Sequence, residues 1–274
     1  MVRNATVLWE TEGNLGYVTL NRPEKLNAIS FGMLREFDEV LDEAERDDAV
    51  RVVIIRGAGR SFSAGYDLSP SAEGRSGRRD TVDDLDGLRW RMERWLRIWD
   101  FPKPVIAQVH GFCLAGATQL CVMTDLTIVA EDARIGLPAI PIGGGFITPM
   151  WTWLIGPKRA KEMSFIPGSQ IDGRTASDWG FANRAVPAAR LEADVRETAA
   201  RIAVVPAKIL KLKKQSVNRT MDVQGFRTAV MLGTETDAIL HASEPVERLS
   251  AMIRESGLKG AIDRFNHGDL GTRA

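Results

Sequence analysis

An α/β core followed by a helical C-terminal region is predicted by three observations. Short β-branched runs recur through the first half of the chain. Amphipathic helical patterns separate them. From Lys158 onward, helical patterns dominate and are broken only by Gly, Pro or Asn.

Residues 5–10 and 15–20 read as two partly alternating strands around the turn Glu12-Gly13-Asn14, a hairpin signal, with Asn21-Arg22-Pro23 ending the second. Ser30 is placed to cap a helix in which Leu34, Phe37, Leu41 and Ala44 recur at three- and four-residue intervals. Arg51 to Gly57 is short and β-branched, as a buried parallel strand would be, so a strand–helix–strand unit is expected. Ser69 to Asp84 is rich in Ser, Gly, Arg and Asp and reads as a mobile surface loop able to act as a lid. The next helix places Leu85, Leu88, Met92, Trp95, Leu96 and Trp99 on one face, a core stripe. Phe101-Pro102-Lys103-Pro104 stops it.

Val105–Val109 reads as a strand, a helix is expected from near Ala115 to Thr124, and Leu126–Ala130 as a further strand. Helical patterns follow at 175–179, 191–203, 207–217, 223–242 and 245–256.

The 274 residues support a substantial core, with 44% hydrophobic content. Lys plus Arg and Asp plus Glu are 36 each, so no global field favours nucleic acid or an anionic membrane, and anion recognition must be local. No apolar run approaches the roughly 20 residues that span a bilayer, and no signal-peptide core is seen at the start, so a cytoplasmic protein is expected. Cys113 and Cys121 lie in apolar surroundings without metal-ligand spacing and are expected as buried thiols. No metal cluster is expected; Gly143-Gly144-Gly145 lacks the following Lys and Ser of a phosphate-cradling loop.

Two stretches carry the chemistry. Phe62-Ser63-Ala64-Gly65-Tyr66-Asp67-Leu68 and His110 to Gln119 each place a glycine-relieved turn just before a helix, where backbone N–H groups can face an oxyanion. Two tight turns without a ligand are the alternative.

With Asn21 to Ala28, Lys103 to Ala107, Gly111 to Asp125 and Gly156-Pro157-Lys158-Arg159-Ala160, in this order and spacing, the chain resembles the crotonase (enoyl-CoA hydratase/isomerase) family over most of its length. The resemblance implies a spiral of ββα units over residues 1–200, a helical trimerisation region over 201–274, and a homotrimer or dimer of trimers. It implies an acyl-CoA thioester as substrate, coenzyme A entering only as part of it, and a lyase or isomerase reaction of the kind found in fatty acid metabolism.

By the same resemblance the amides of Tyr66 and Gly116 form the oxyanion hole. Lys25, Leu26, Ala28, Ala64, Asp67 and Leu68 line the adenine and pantetheine groove. Taken singly, Lys25 reads as a solvated charge, and Asp67 is expected to order its loop. Hydratases of the family use two glutamates, at positions matching Gln119 and Ala139. A glutamine holds water but does not accept its proton near neutral pH, and alanine does neither. No acidic residue lies between Leu137 and Lys161 to take over. A water held by Gln119, or a base from another element, would have to replace the pair. Loss of the chemistry, leaving a CoA-thioester-binding or scaffold protein, is the alternative; a hydrolase or lyase of a non-CoA β-dicarbonyl is a third reading.

Among other candidates, His110 and Asp125 are expected to be structural, and Trp151 and Trp153 to line the acyl pocket or a subunit contact. Glu235 and Asp237 read as solvated-face carboxylates. His241 and His267 show no paired acid in sequence.

Overall fold

The computed structural model describes residues 5–69, 80–144 and 147–269. Its main sheet has six strands. In spatial order these are β1 (Val7–Glu12), β2 (Leu15–Leu20), β3 (Val52–Gly57), β4 (Val105–Val109), β6 (Leu126–Ala130) and β9 (Arg184–Val186). Only β1 and β2 are antiparallel; all later neighbours are parallel. A second sheet of three short strands, β5 (Phe112–Leu114), β7 (Arg134–Gly136) and β8 (Gln170–Asp172), stands beside it.

The hairpin is confirmed with one correction: β1 starts at Val7 rather than residue 5 and runs to Glu12. Its register pairs Val7 with Leu20 and Glu12 with Leu15, so only Gly13 and Asn14 remain for the turn. Strand β4 is buried throughout, and so are the four residues Val52–Ile55 of β3, as expected where both faces are covered.

Helix α1 (Phe31–Arg46) is capped by Ser30, whose side chain accepts from the Met33 N–H, and buries Leu34, Phe37, Leu41 and Ala44 as the periodicity requires. Helix α2 (Thr81–Asp100) starts earlier than the sequence reading has it. Thr81–Asp84 are helical, because the Asp80 carboxylate accepts from the N–H groups of Val82 and Asp83. The suggested lid falls chiefly on residues 70–79, which lie outside the described residues.

Helix α3 (Gly116–Met123) is completely buried. Helix α4 (Thr148–Phe165), not foreseen before Lys158, is broken at Gly156, whose φ of 78° lets Pro157 open a second helical segment. Helices α5 (Gly173–Trp179), α6 (Leu191–Ala203), α7 (Ala207–Val223), α8 (Phe226–His241) and α9 (Glu244–Asn266) complete the chain. Among the described residues no helix is long and apolar enough to cross a membrane.

Helix α8 lies antiparallel along α2. Phe226 stacks against Trp99 at one end, Arg227 pairs with Asp100 beside it, Glu235 pairs with Arg89, and His241 meets Asp84 at the other end.

Candidate active site

The loop after β3 is stitched to β5. The Phe62 N–H donates to the His110 carbonyl, Ser63 N–H to Phe112, and Leu114 N–H to Ser63. Gly65 (φ 89°) then turns the chain so closely that a Cβ there would stand 2.6 Å from the Leu114 carbonyl oxygen and 3.1 Å from the Gly116 nitrogen. Tyr66 follows in an isolated parallel bridge with Ile29.

On the other side, Ala115 carries a positive φ of 48° at the mouth of α3. Such a conformation costs about 1–3 kcal/mol in a non-glycine residue. It is held by the Ala115 N–H donating to Gly136 and by the Ala115 carbonyl accepting from both the N–H and hydroxyl of Thr118. The Trp151 indole donates to the same Thr118 hydroxyl at 3.0 Å, so α4 braces the start of α3. Gly116 is the first helical residue; its N–H therefore has no acceptor within the helix, and the helix dipole adds positive potential there.

Three side chains join these turns. The Tyr66 ring lies on Gly116, where a Cβ would meet its carbons at 2.6–2.9 Å. The Tyr66 hydroxyl donates to Gln119 Oε1 at 2.5 Å and accepts from Trp95 Nε1 at 2.7 Å; the indole also reaches Gln119 Oε1 at 3.1 Å. An indole N–H only donates, so its contact fixes the orientation of the carboxamide. Gln119 is fully buried, and its Nε2 has no hydrogen-bond partner among the described residues. Burial pushes the Tyr66 phenol far above the ordinary tyrosine range; the Arg91 charge and the Trp95 hydrogen bond pull it back, and Asp237 pushes it further up. The phenol is neutral, a donor and not a base.

The predicted groove residues converge. Asn27 is fully buried at a left-handed turn, accepting from the Arg22 N–H and donating to the carbonyls of Ala58 and Ser61. The Ala64 N–H donates to Leu26, the Arg22 guanidinium to Ala28, and Arg22 pairs with Asp67 at 2.9 Å, with Lys25 at 3.8 Å. Leu68 is exposed at their edge. Burial works to raise the Asp67 pKa, but hydrogen bonds from Ser69 and Arg22 and the Arg22 charge hold it below the usual carboxylate range. Asp67 orders its loop, as expected.

One face of α2 organises the remainder. Asp84, Arg91 and Trp95 follow at intervals of seven and four residues and so share a face. Arg91 lies over the Tyr66 ring at 5.3 Å from its centroid. Asp84 meets His241 Nδ1 at 2.6 Å, and Asp237, one turn before His241 on α8, accepts from the Gly144 N–H at 2.9 Å.

These contacts correct two expectations. Asp237 is 5% exposed and not a solvated-face carboxylate, and His241 does have a paired acid. The partner is 157 residues away in sequence, which no local pattern reveals. Trp95, read as a core stripe residue, is both core and part of the polar trio.

The sequence profile of the enoyl-CoA hydratase/isomerase family matches residues 10–241. The chain belongs to that family. A short-chain enoyl-CoA hydratase of Clostridium acetobutylicum is 31% identical over 268 residues, covering 94% of this chain and 98% of that protein. The crystal structure of an enoyl-CoA hydratase/isomerase from Xanthobacter autotrophicus Py2 superposes with a TM-score of 0.89 at 34% identity, covering 98% of this chain and 99% of that one. An enoyl-CoA hydratase from Mycobacterium smegmatis gives 0.86 at 30%, covering 98% and 97%. The mixed α/β fold with its helical C-terminal region is therefore the crotonase fold.

Within this family member the other predicted residues take structural places. His110 donates through Nε2 to the Gly59 carbonyl at 2.9 Å. Asp125 accepts from the Val105 N–H and pairs with Lys214 at 2.8 Å, anchoring β4. Cys113 and Cys121 are buried free thiols, their sulfurs 3.6 Å apart. Trp151 is buried against Phe181, and Trp153 packs edge-on to Phe226. Glu235 is exposed and pairs with Arg89, while the His267 ring contacts the Asp263 carbonyl. Ala139 lies against Gly168.

Proposed function

We propose that this crotonase-family chain binds an acyl-CoA thioester and stabilises the thioester enolate through the Tyr66 and Gly116 amides. The observation that carries this reading is the approach of the two turns, with Gly65 fitting against the Gly116 nitrogen where no side chain would fit. In a dry site each aligned donor contributes about 3–4 kcal/mol of transition-state stabilisation. The clustering of Lys25, Leu26, Ala28, Ala64 and Asp67 supports a groove for the CoA portion, with coenzyme A present only as part of the substrate.

Hydration by a glutamate pair is disfavoured by Gln119 and Ala139, and the lyase or isomerase step is assigned to no residue here. Binding without turnover is a second reading, favoured by the neutral, internally satisfied Tyr66 phenol where a water-activating base would be useful. A homotrimer or dimer of trimers, taken from the family resemblance, and a cytoplasmic location complete the reading.

The test is mass spectrometry of short, medium and branched enoyl-CoA thioesters incubated with the protein in heavy water. Water addition or α-deuteration is expected with wild type. Gly116→Pro, which deletes the N–H, abolishes it, while Gly116→Ala, which crowds Tyr66 but keeps the N–H, reduces it less. Thioester binding without exchange supports the non-catalytic reading. Failure to bind any CoA thioester overturns the proposal and favours a non-CoA β-dicarbonyl substrate.

A further inference from the structure

Among the described residues the Gln119 carboxamide is satisfied on one side only. Its Oε1 accepts from Tyr66 and Trp95, which occupies both lone pairs, and Trp95 also donates to the Tyr66 oxygen. What the trio leaves over is the pair of N–H donors on Nε2, in a residue with no solvent exposure. A buried amide left without an acceptor is unfavourable, and such a group one helical turn from the oxyanion amides points to a ligand that completes it.

The direction of that donor follows from the helix. Gln119 comes three residues after Gly116, and helical side chains lean toward the N-terminus, so the carboxamide rises over the first turn of α3. The two positions are separated by about 5 Å, one helical turn. The Tyr66 ring spans the interval, lying on Gly116 and touching Gln119 with its hydroxyl. In an extended 3-oxoacyl thioester the carbonyls of the first and third carbons point to the same side of the chain, so a donor that leans from Gln119 toward the Gly116 amide faces the second oxygen.

We propose that Gln119 Nε2 donates to a carbonyl oxygen on the third carbon of the acyl group, so that the site selects 3-oxoacyl thioesters. This rests on the thioester oxygen lying at the Tyr66 and Gly116 amides. A 3-hydroxyl group fits less well, because it brings a proton of its own and the trio offers it no acceptor. An unsubstituted chain leaves the donor unmade. Gln119 is on this account a specificity-determining residue and not a base.

The experiment is titration calorimetry of wild type with butyryl-, hexanoyl- and octanoyl-CoA and the 3-hydroxy and 3-oxo counterpart of each. The 3-oxo thioester is expected to bind about tenfold more tightly than its unsubstituted partner, the order of one buried hydrogen bond, with the 3-hydroxy form between. Gln119→Met removes the preference, read as the ratio of 3-oxo to unsubstituted affinity within the variant, whatever the variant's absolute affinities. Gln119→Glu, assayed at alkaline pH where the carboxylate is ionised, keeps the acceptor for Tyr66 and Trp95 and loses the preference likewise, which covers the case of a methionine variant that does not fold. Equal wild-type affinities, or a preference that survives in the variants, overturn this assignment alone. Absence of binding by every thioester overturns it together with the CoA reading.

Discussion

Tyr66 and Gln119 are 53 residues apart in sequence, and the tyrosine hydroxyl sits 2.5 Å from the glutamine oxygen. The contact joins the turn after β3 to the first turn of α3 and gives the site a neutral polar floor. Burial keeps the phenol protonated well beyond the physiological range.

Removing that hydroxyl therefore leaves the pH dependence of the chemistry alone. In Tyr66→Phe, Trp95 Nε1 retains Gln119 Oε1 as its acceptor, so the loss amounts to about 1 kcal/mol of stability by urea denaturation. The pH profile of α-deuteration is expected to keep its shape. An alkaline limb present in wild type and missing in the phenylalanine variant would show the phenolate acting as a base, against the assignment made here.

The Asp84–His241 pair gives a pH-dependent stability. Burial works to lower the His241 pKa, but the Asp84 hydrogen bond and the charges of Asp237 and Asp84 outweigh it, with Arg91 opposing, and the net direction is upward. A folded-state pKa above the unfolded value of about 6.5 means the stabilisation is fully present below that pH. It is lost as pH rises through the higher folded value. Denaturation midpoints across this window should fall with rising pH in wild type. Asp84→Asn should flatten that slope, and an unchanged slope would assign the effect to other groups.

Much of this architecture is legible in the sequence, and the parts that are not share a physical cause. Strands β2, β4 and β6 and helix α6 match their predicted bounds because apolar periodicity reports burial directly. Strands β5, β7, β8 and β9 have three residues each, too few for a period, and are fixed by neighbours: a Cβ at Gly136 would stand 2.1 Å from the Ser169 carbonyl oxygen. The start of α2 was encoded in Asp80, an N-cap residue masked by the polar run around it. Gly65, Gly116 and Gln119 are visible as a pattern, whereas Trp95 joins the site only through the packing of α2 on Tyr66 and α3, and Asp84 meets His241 only through α2 packing on α8.

The ion pair of Lys214 and Asp125 is the clearest case of a long-range contact on which the helical C-terminal region depends. Lys214, on α7, is 9% exposed and donates to the Ile98 carbonyl at 3.0 Å as well as to Asp125 at 2.8 Å. Burial dominates at both ends, lowering the lysine pKa and raising that of the aspartate, each partly offset by the other's charge. Removing one partner strands the other, an effect of about 3–5 kcal/mol for buried pairs. Lys214→Met is therefore expected to lower the urea midpoint strongly, and Lys214→Met with Asp125→Asn to recover part of the loss, since the neutral amide still fits against the Val105 N–H. If the double variant is no more stable than the single one, the loss comes from the missing Ile98 contact and the packing of α7, and the stranded charge of Asp125 contributes little.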